Sequence, residues 1–418
     1  MKRDRKRQYK KILCFALGFN ILTIVTTYFW FVETRIPNEI VLFVGEEESL
    51  DFGTPVVGVF SGNNPSIDGN VHFDFTNPVS LTIDNTGSYA MKLQLFGLFH
   101  LKNIALNVVD TQCVIPGGEN IGIYVQTKGV MVLGDGTVTG IDGMKYDPAQ
   151  NIIKTGDYIT AINGVKVSDI EDMLAAVKEN GNKKITLDLV RDKEKQAVSI
   201  MPVETNNGEY KLGIWVRDDT QGVGTLTYRT TNGEFGALGH GITDSDTGLI
   251  MEIDKGNIFE AEIIDIVKGA KGKPGELVGV IRSQETMRIG DVNQNTECGI
   301  FGTIKENNKI LKEKEAISIG LKQEVKKGKA SILCQLDGKV EEYAIEIEKI
   351  KWNSTADSKG MILKITDTRL LDKTNGIIQG MSGSPILQNG KLIGAVTHVF
   401  IQDSTKGYGI FIENMLKK

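Results

Sequence analysis

The longest apolar stretch of the chain lies near its N-terminus. Residues 12–32 read ILCFALGFNILTIVTTYFWFV and carry no charge. As a helix rising 1.5 Å per residue, this stretch would cover about 30 Å, the thickness of a bilayer's hydrocarbon core. Because residues 1–11 are rich in lysine and arginine, we expect them to form a cytoplasmic tail, with Tyr28, Trp30 and Phe31 at the outer interface. A cleavable signal peptide is the competing interpretation, but the stretch is long for one and no small-residue cleavage pattern follows.

Beyond this predicted transmembrane helix, apolar residues come in short runs separated by glycine-rich turns, a pattern typical of β-strands. Residues 36–109 predict a small β domain or a strand-rich stalk. Residues 208–418 contain many such runs, which predict two β-barrels with a cleft between them. The expected fold class is therefore mainly β.

Residues 113–204 contain two segments that resemble a PDZ domain. The sequence VIPGGENIGIYV at 114–125 resembles a PDZ carboxylate-binding loop with its following strand, and KTGDYITAINGV at 154–165 resembles the internal PDZ hairpin. An amphipathic helix is predicted at 170–180. In such a domain an extended peptide adds to a strand edge, and its terminal carboxylate is bound by main-chain N–H groups. We expect the N–H groups of Ile121, Gly122 and Ile123 to bind it.

Composition narrows the possible functions. The chain has 418 residues, too many for one core, and suits two or three domains. Its net charge is −5 and its acidic residues and lysines are interspersed, so the sequence shows no basic face and we expect no nucleic-acid partner. Past the apolar stretch, Cys113, Cys298 and Cys334 are odd in number and widely spaced, so we expect buried thiols and neither a disulfide framework, a metal site nor another cofactor.

A serine between glycines is the strongest candidate for chemistry. Residues 380–385 read GMSGSP and resemble the nucleophile loop of chymotrypsin-like serine peptidases. Glycine on both sides leaves the backbone open, so that the Ser382 hydroxyl can reach a carbonyl carbon. The N–H groups of Gly380 and Ser382 would then form the oxyanion hole. Ser384 is the rival nucleophile.

A serine hydroxyl needs a neighbouring base, for which histidine is the usual choice. His240 lies in a short apolar run interrupted by glycines, and its position before the serine matches the chain order of two-barrel peptidases. His398, which follows the serine in a predicted strand, is the rival base. The residues alone do not identify the carboxylate that would orient the imidazole, and Asp244, Asp265 and Asp291 are candidates.

Taken together, several segments make the chain resemble the stage IV sporulation protein B peptidase family over nearly its full length. The segments that carry this resemblance are GHG at 239–241, VKGAKGKPGE at 267–276, GIFG at 299–302, ITD at 365–367, GMSGSP at 380–385 and GAVTH at 394–398. The resemblance implies that Ser382 is the nucleophile, His240 the base and Asp367 the third member of the triad.

The family resemblance also implies a biological role. It implies a single-pass membrane protein of endospore-forming bacteria, placed between the two forespore membranes, with a suggestion of release by self-cleavage. Its substrate would be a membrane-bound regulator of an intramembrane metalloprotease, so that a late sigma factor can be processed. Two alternatives remain: a non-catalytic, membrane-tethered PDZ adaptor, and an envelope quality-control protease.

Overall fold

The computed structural model describes residues 2–61, 71–306, 308–352 and 357–417. The chain folds into two compact units, each with its own hydrophobic core. The first unit comprises Met1–Gln112, Gly320–Lys326 and Ile350–Ala356, and the second Cys113–Ile319, Lys327–Lys349 and Asp357–Lys418.

The first unit begins with helix α1, Lys2–Arg35. Its segment Tyr9–Thr34 is 26 residues long and apolar enough to cross a membrane, and the most apolar part of this segment is not buried in the folded core. The sequence-based expectation of one apolar N-terminal helix is therefore confirmed. Such a helix is compatible with a membrane anchor and with a signal sequence.

The small β domain follows α1. Five of its strands form a sheet in the order β1-β7-β6-β3-β4, and β2 pairs with β5. Its core contains Phe75, Met91 and Leu93, together with Val32 and Ile36 from the end of α1. The strands are β1 Glu39–Phe43, β2 Glu48–Leu50, β3 Val56–Ser61, β4 Val71–Asp74, β5 Val79–Leu81, β6 Gly87–Leu95 and β7 Phe99–Val109.

The PDZ domain opens the second unit. Helix α2, Ile170–Asn180, begins where the Asp169 carboxylate caps it and buries Met173 and Val177. The strands of this part of the chain are β8 Cys113–Pro116, β9 Asn120–Asp135, β10 Val138–Thr139, β11 Lys145–Tyr146, β12 Tyr158–Ile162, β13 Val165–Lys166, β14 Ile185–Arg191, β15 Glu194–Ile200, β16 Val203–Glu204 and β17 Tyr210–Lys211.

Six strands close the first barrel, in the order β9-β20-β22-β23-β19-β18 and back to β9. Both β9 and β18 are 16 residues long. Their pairing runs from the PDZ domain into this barrel, so the two domains share a continuous sheet. The remaining strands are β18 Ile214–Arg229, β19 Glu234–Ala237, β20 Ile253–Val267, β21 Glu276–Ile281, β22 Arg288–Thr296, β23 Gly299–Ile304 and β24 Ile317–Ser318.

The second barrel is also closed by six strands, in the order β25-β26-β27-β30-β29-β28. The expectation of a mainly β protein with a two-barrel peptidase domain is therefore confirmed. Asn389 and Gly390 both have positive φ at the turn between β28 and β29, as a two-residue hairpin requires. The elements are β25 Gly328–Gln335, β26 Val340–Ile350, β27 Met361–Ile365, α3 Thr368–Thr374, β28 Pro385–Gln388, β29 Lys391–Phe400, β30 Asp403–Phe411 and α4 Ile412–Leu416.

The prediction that Ile121, Gly122 and Ile123 form a carboxylate-binding loop is wrong. These residues lie inside β9, where β18 pairs with one edge and β20 with the other. Their main-chain groups are therefore taken up by the barrel and cannot receive a peptide. The predicted PDZ limits of 113–204 likewise include residues that pack into the first barrel, because Ile121, Ile123 and Val125 share a core with Leu226 and Phe235.

The prediction that Cys113, Cys298 and Cys334 are buried is confirmed for one of them. Cys334 is buried, whereas Cys298 is half-buried and Cys113 is exposed.

Candidate active site

The predicted nucleophile loop, residues 375–384, connects α3 to β28. Gly380 and Gly383 have φ of +95° and +96°, a conformation that side chains other than glycine rarely adopt. A Cβ on Gly383 would also lie 2.1 Å from the Thr225 carbonyl oxygen. Only glycine therefore fits at position 383.

Of the two serines in this loop, Ser382 faces a cleft. Its hydroxyl is half-buried and donates a hydrogen bond to the Thr397 carbonyl oxygen, at 2.7 Å. Ser384 is fully buried, and its hydroxyl has no hydrogen-bond partner among the residues that the structure describes. Because substrate cannot reach Ser384, the geometry favours Ser382 over its rival.

The two expected oxyanion donors are free to bind a ligand. In the described part of the chain, no acceptor takes the N–H of Gly380 or Ser382. By contrast, Met381 donates to the Ile378 carbonyl and Gly383 to the Val396 carbonyl. Gly380 and Ser382 also line the same cleft.

His240 lies in a turn at the start of the segment 238–252, which connects β19 to β20. The turn is held in an unusual backbone conformation, with φ of +70° at Leu238 and +69° at Gly239. The His240 Nδ1 lies 2.8 Å from the Gly241 carbonyl oxygen. Since a carbonyl only accepts hydrogen bonds, the proton belongs on Nδ1, which leaves Nε2 as the free basic nitrogen.

Two imidazoles meet in this cleft. The ring centroids of His240 and His398 are 4.8 Å apart. Burial lowers the pKa of His240, although the hydrogen bond to Gly241 opposes the shift. Burial, with the positive charges of His240 and Lys359, lowers the pKa of His398 to about 4. Both rings are therefore neutral near pH 7, as a general base must be.

The cleft itself has a volume of about 530 Å³ and lies between the barrels. Residues Thr220 to Val223 of β18 line it from the first barrel, and residues 377–380 and 397–399 line it from the second. Ser382, His240 and His398 all reach it. The two predicted catalytic side chains therefore share one cavity.

Asp367 has hydrogen-bond partners other than His240. It caps helix α3, and Arg369 donates to both of its carboxylate oxygens through its main chain and its guanidinium. The Ala344 N–H also donates to this carboxylate. These bonds, above all the one from the Arg369 side chain, lower the pKa of Asp367. Among the described residues the Nδ1 of His240 contacts the Gly241 carbonyl and not Asp367, so the structure does not show the predicted orienting contact.

The other candidate carboxylates also have different partners. Asp244 binds Arg217 and caps the turn at Thr247. Asp291 accepts a hydrogen bond from Asn257, and Asp265 accepts one from Ile266. Within the described residues, the Gly241 carbonyl is the hydrogen-bond partner of the His240 ring.

The sequence interpretation missed two threonines of β18 that hold the nucleophile loop. The Thr225 N–H donates to the Ser382 carbonyl at 3.0 Å, and its hydroxyl donates to the Gly380 carbonyl at 2.8 Å. The Thr227 hydroxyl donates to the Gly383 carbonyl at 2.8 Å. Both side chains are fully buried. Threonines two apart in a strand share one face, here the face opposite to Leu226 of the first barrel's core, and this spacing is the signal that marks them.

A second missed feature is the start of β18. The segment Leu212-Gly213-Ile214 repeats the apolar-Gly-apolar pattern that was assigned to residues 121–123. Gly213 has φ of +67°, and residues 214–217 pair with β9 along one edge. No strand pairs with their other edge in the ranges that the structure covers. Helix α2 lies beside this strand, where the Ile170 N–H donates to the Asp218 carboxylate.

A metal centre is not evident. Over the described ranges, no three His, Cys, Asp or Glu side chains are grouped closely enough to hold a metal ion. The groups that line the cleft include a serine, two imidazoles and main-chain N–H groups.

A family model of peptidases that matches half of the chain agrees with this chemistry. The family model described as SpoIVB peptidase S55 matches residues 208–416, half of the chain, and a PDZ domain model matches residues 148–191. Two solved structures of the HtrA-type protease AlgW with a decapeptide align with 48% of this chain at 12% identity and a TM-score of 0.27. The alignments cover 51% and 52% of those chains, about half of their length. No curated protein matches the chain. The chain belongs to the SpoIVB peptidase family of serine peptidases and carries a PDZ domain.

Proposed function

We propose that this protein is a membrane-anchored serine endopeptidase in which His240 activates Ser382. The observation that carries the proposal is the shared cleft, which brings both side chains together with the free N–H groups of Gly380 and Ser382. The Ser382 hydroxyl turns from the Thr397 carbonyl towards Nε2 of His240, gives its proton to that nitrogen and attacks a peptide carbonyl. The two N–H groups bind the oxyanion, the C–N bond breaks as the His240 imidazolium protonates the leaving amine, and water then hydrolyses the acyl-enzyme.

The imidazole is oriented by a main-chain carbonyl in this proposal. The Gly241 oxygen fixes the tautomer that leaves Nε2 basic, which is one of the two tasks of a triad aspartate. A neutral carbonyl stabilises the imidazolium less than a carboxylate does. Oxyanion binding would therefore contribute a larger share of the rate, and one such donor accounts for a factor of about 10² to 10³ in kcat.

Family membership and the N-terminal helix support the biological part of the proposal. The substrate would be a membrane-bound regulator of an intramembrane metalloprotease, and its cleavage would trigger late sigma-factor processing during endospore formation. Anchoring by α1 would place the enzyme on the same membrane surface as its substrate, with the N-terminus cytoplasmic. A membrane-held pair meets at high effective concentration.

Recognition by the PDZ domain is proposed at the free edge of β18. An extended peptide would pair with residues 214–217 and lie against α2, with its carboxylate at the Leu212-Gly213 turn. Ile214 and Val216 pack into the core with α2, so Trp215 lies on the other face of β18. The side chains of Trp215 and Leu174 are 71% and 57% exposed, so each is available to a different side chain of the peptide. The same strand continues to the nucleophile loop through Thr225.

The function is tested by covalent labelling. Full-length protein in detergent is treated with a peptidyl phosphonate that reacts with activated serines. We expect mass spectrometry to locate one adduct on Ser382, lost in Ser382→Ala and in His240→Ala and retained in Ser384→Ala. Absence of any adduct from a folded protein would favour a non-catalytic PDZ adaptor, and an adduct on Ser384 would transfer the nucleophile role.

Replacing Asp367 separates a triad carboxylate from a helix cap. Asparagine caps a helix about as well as aspartate but cannot stabilise an imidazolium by charge. We expect Asp367→Asn to keep kcat within a few-fold of the wild type, and Asp367→Ala to lose about 1 kcal/mol of stability. The measurements are peptide hydrolysis and thermal unfolding. A loss of about 10⁴ in kcat for the folded asparagine variant would restore the triad assignment.

The pH dependence of kcat/KM follows from the His240 environment. The base works as the neutral imidazole, so activity falls as pH drops through its pKa. Because burial lowers that pKa from 6.5, the acid limb should have its midpoint below pH 6.5. A pH profile of kcat/KM measures it. A midpoint above pH 7 would indicate a carboxylate partner that stabilises the imidazolium.

Peptide binding to the PDZ domain can be followed through Trp215. A peptide with an apolar C-terminal residue and a free carboxylate should shift Trp215 emission to the blue in the full chain. Trp215→Phe should abolish the shift, and Leu174→Glu should weaken binding about tenfold, the cost of burying a poorly matched charge. The amidated peptide is the control. Equal binding of the amide would contradict carboxylate recognition at this turn.

A further inference from the structure

An apolar turn joins β6 to β7 in the small β domain. Phe96 and Gly97 both have positive φ, 54° and 69°, so the chain reverses sharply here. Such turns ordinarily carry asparagine, aspartate or glycine, because those residues accept this backbone and suit water. Here the side chains of Phe96, Leu98 and Phe99 are 56%, 78% and 63% exposed. These three large apolar side chains on one turn form an exposed patch, and such patches mark sites of contact with a protein or a membrane.

The position of this turn relative to α1 points to the partner. The ring of Tyr28 stacks on that of Phe96, with centroids 6.5 Å apart and planes inclined by 14°. The end of α1 is fixed to the same domain, because Val32 and Ile36 belong to its core. The Lys102 ammonium also donates to the carbonyl oxygens of Glu33 and Ile36 at the end of the helix. The contact with Tyr28 is thus part of a packed unit.

The helix sets the depth of the turn. The uncharged stretch ends at Val32, and Tyr28 lies four residues earlier. At 1.5 Å per residue, Tyr28 lies about 6 Å below the end of the stretch when the helix stands upright. Interfacial aromatic and apolar side chains lie at this depth in membrane proteins. Tyr28, Trp30 and Phe31 of α1 are exposed at the same level.

We propose that the loop Phe96–Phe99 inserts into the outer interface of the membrane beside α1 and forms a second lipid contact. The inference rests on the proposed membrane anchor. The chain is uncharged from Leu93 to Phe99, and His100 is the first titratable residue after it. A protein partner at this depth would have to enter the interface itself, whereas the proposed anchor places lipid against the neighbouring face of α1. The small β domain is thereby held in one orientation against the bilayer rather than swinging on the helix.

The experiment measures membrane depth at three positions of the full chain in phosphatidylcholine vesicles. Each protein carries one cysteine, labelled with the environment-sensitive fluorophore NBD, and the other native cysteines are replaced by serine. The first position is native Cys14, inside the anchor. The second is Leu98→Cys at the tip of the loop, and the third is Thr86→Cys at the opposite end of β6, about 30 Å away. Lipids with a nitroxide quench the label where it touches the bilayer, and aqueous iodide quenches it in water.

We expect blue-shifted emission and nitroxide quenching at positions 14 and 98, and iodide quenching at position 86. Quenching at 14 with a water-exposed label at 98 overturns the inference and leaves the anchor in place. A water-exposed label at 14 overturns the anchor and the inference with it. Nitroxide quenching at 86 as strong as at 98 also overturns it, because the domain would then lie flat on the membrane.

Discussion

Three hydrogen bonds from strand β18 hold the nucleophile loop against the first barrel. The Thr225 N–H and hydroxyl bind the carbonyls of Ser382 and Gly380, and the Thr227 hydroxyl binds that of Gly383. Both threonines are fully buried, so water cannot replace these bonds. With the loop carbonyls turned towards β18, the N–H groups of Gly380 and Ser382 are left for the cleft. The geometry of this loop of the second barrel thus depends on a strand of the first, and that strand begins in the PDZ domain.

Local features of the sequence predicted much of the fold and the conformation of the loop around Ser382. An uncharged run, an amphipathic pattern at 170–180 and an Asn-Gly turn are local signals, because each determines the structure of its own segment. The structure has α1, α2 and the β28–β29 hairpin at those places. The same holds for the loop around Ser382, because glycines at 380 and 383 are needed where φ is positive.

Predictions that depended on long-range pairing were less successful. The local sequence at 121–123 fits a PDZ edge strand and a barrel strand equally well. The pairing of β9 with β18 and β20 makes it a barrel strand, and this pairing joins segments that are distant in the sequence. The carboxylate at Asp367 was assigned through family resemblance, whereas the structure gives it Arg369 as a partner two residues away. Every residue has a main-chain carbonyl, so the sequence alone cannot show that the carbonyl of Gly241 orients the His240 ring.

The most direct test of this dependence on β18 is the turnover of Thr225→Val compared with Thr225→Ser. Valine keeps the shape of the side chain but removes the hydroxyl that binds the Gly380 carbonyl, whereas serine keeps the hydroxyl. The account predicts that valine lowers kcat by about tenfold or more with KM little changed, in a protein that remains folded, and that serine restores most of the loss. Wild-type turnover in the folded valine variant would contradict it.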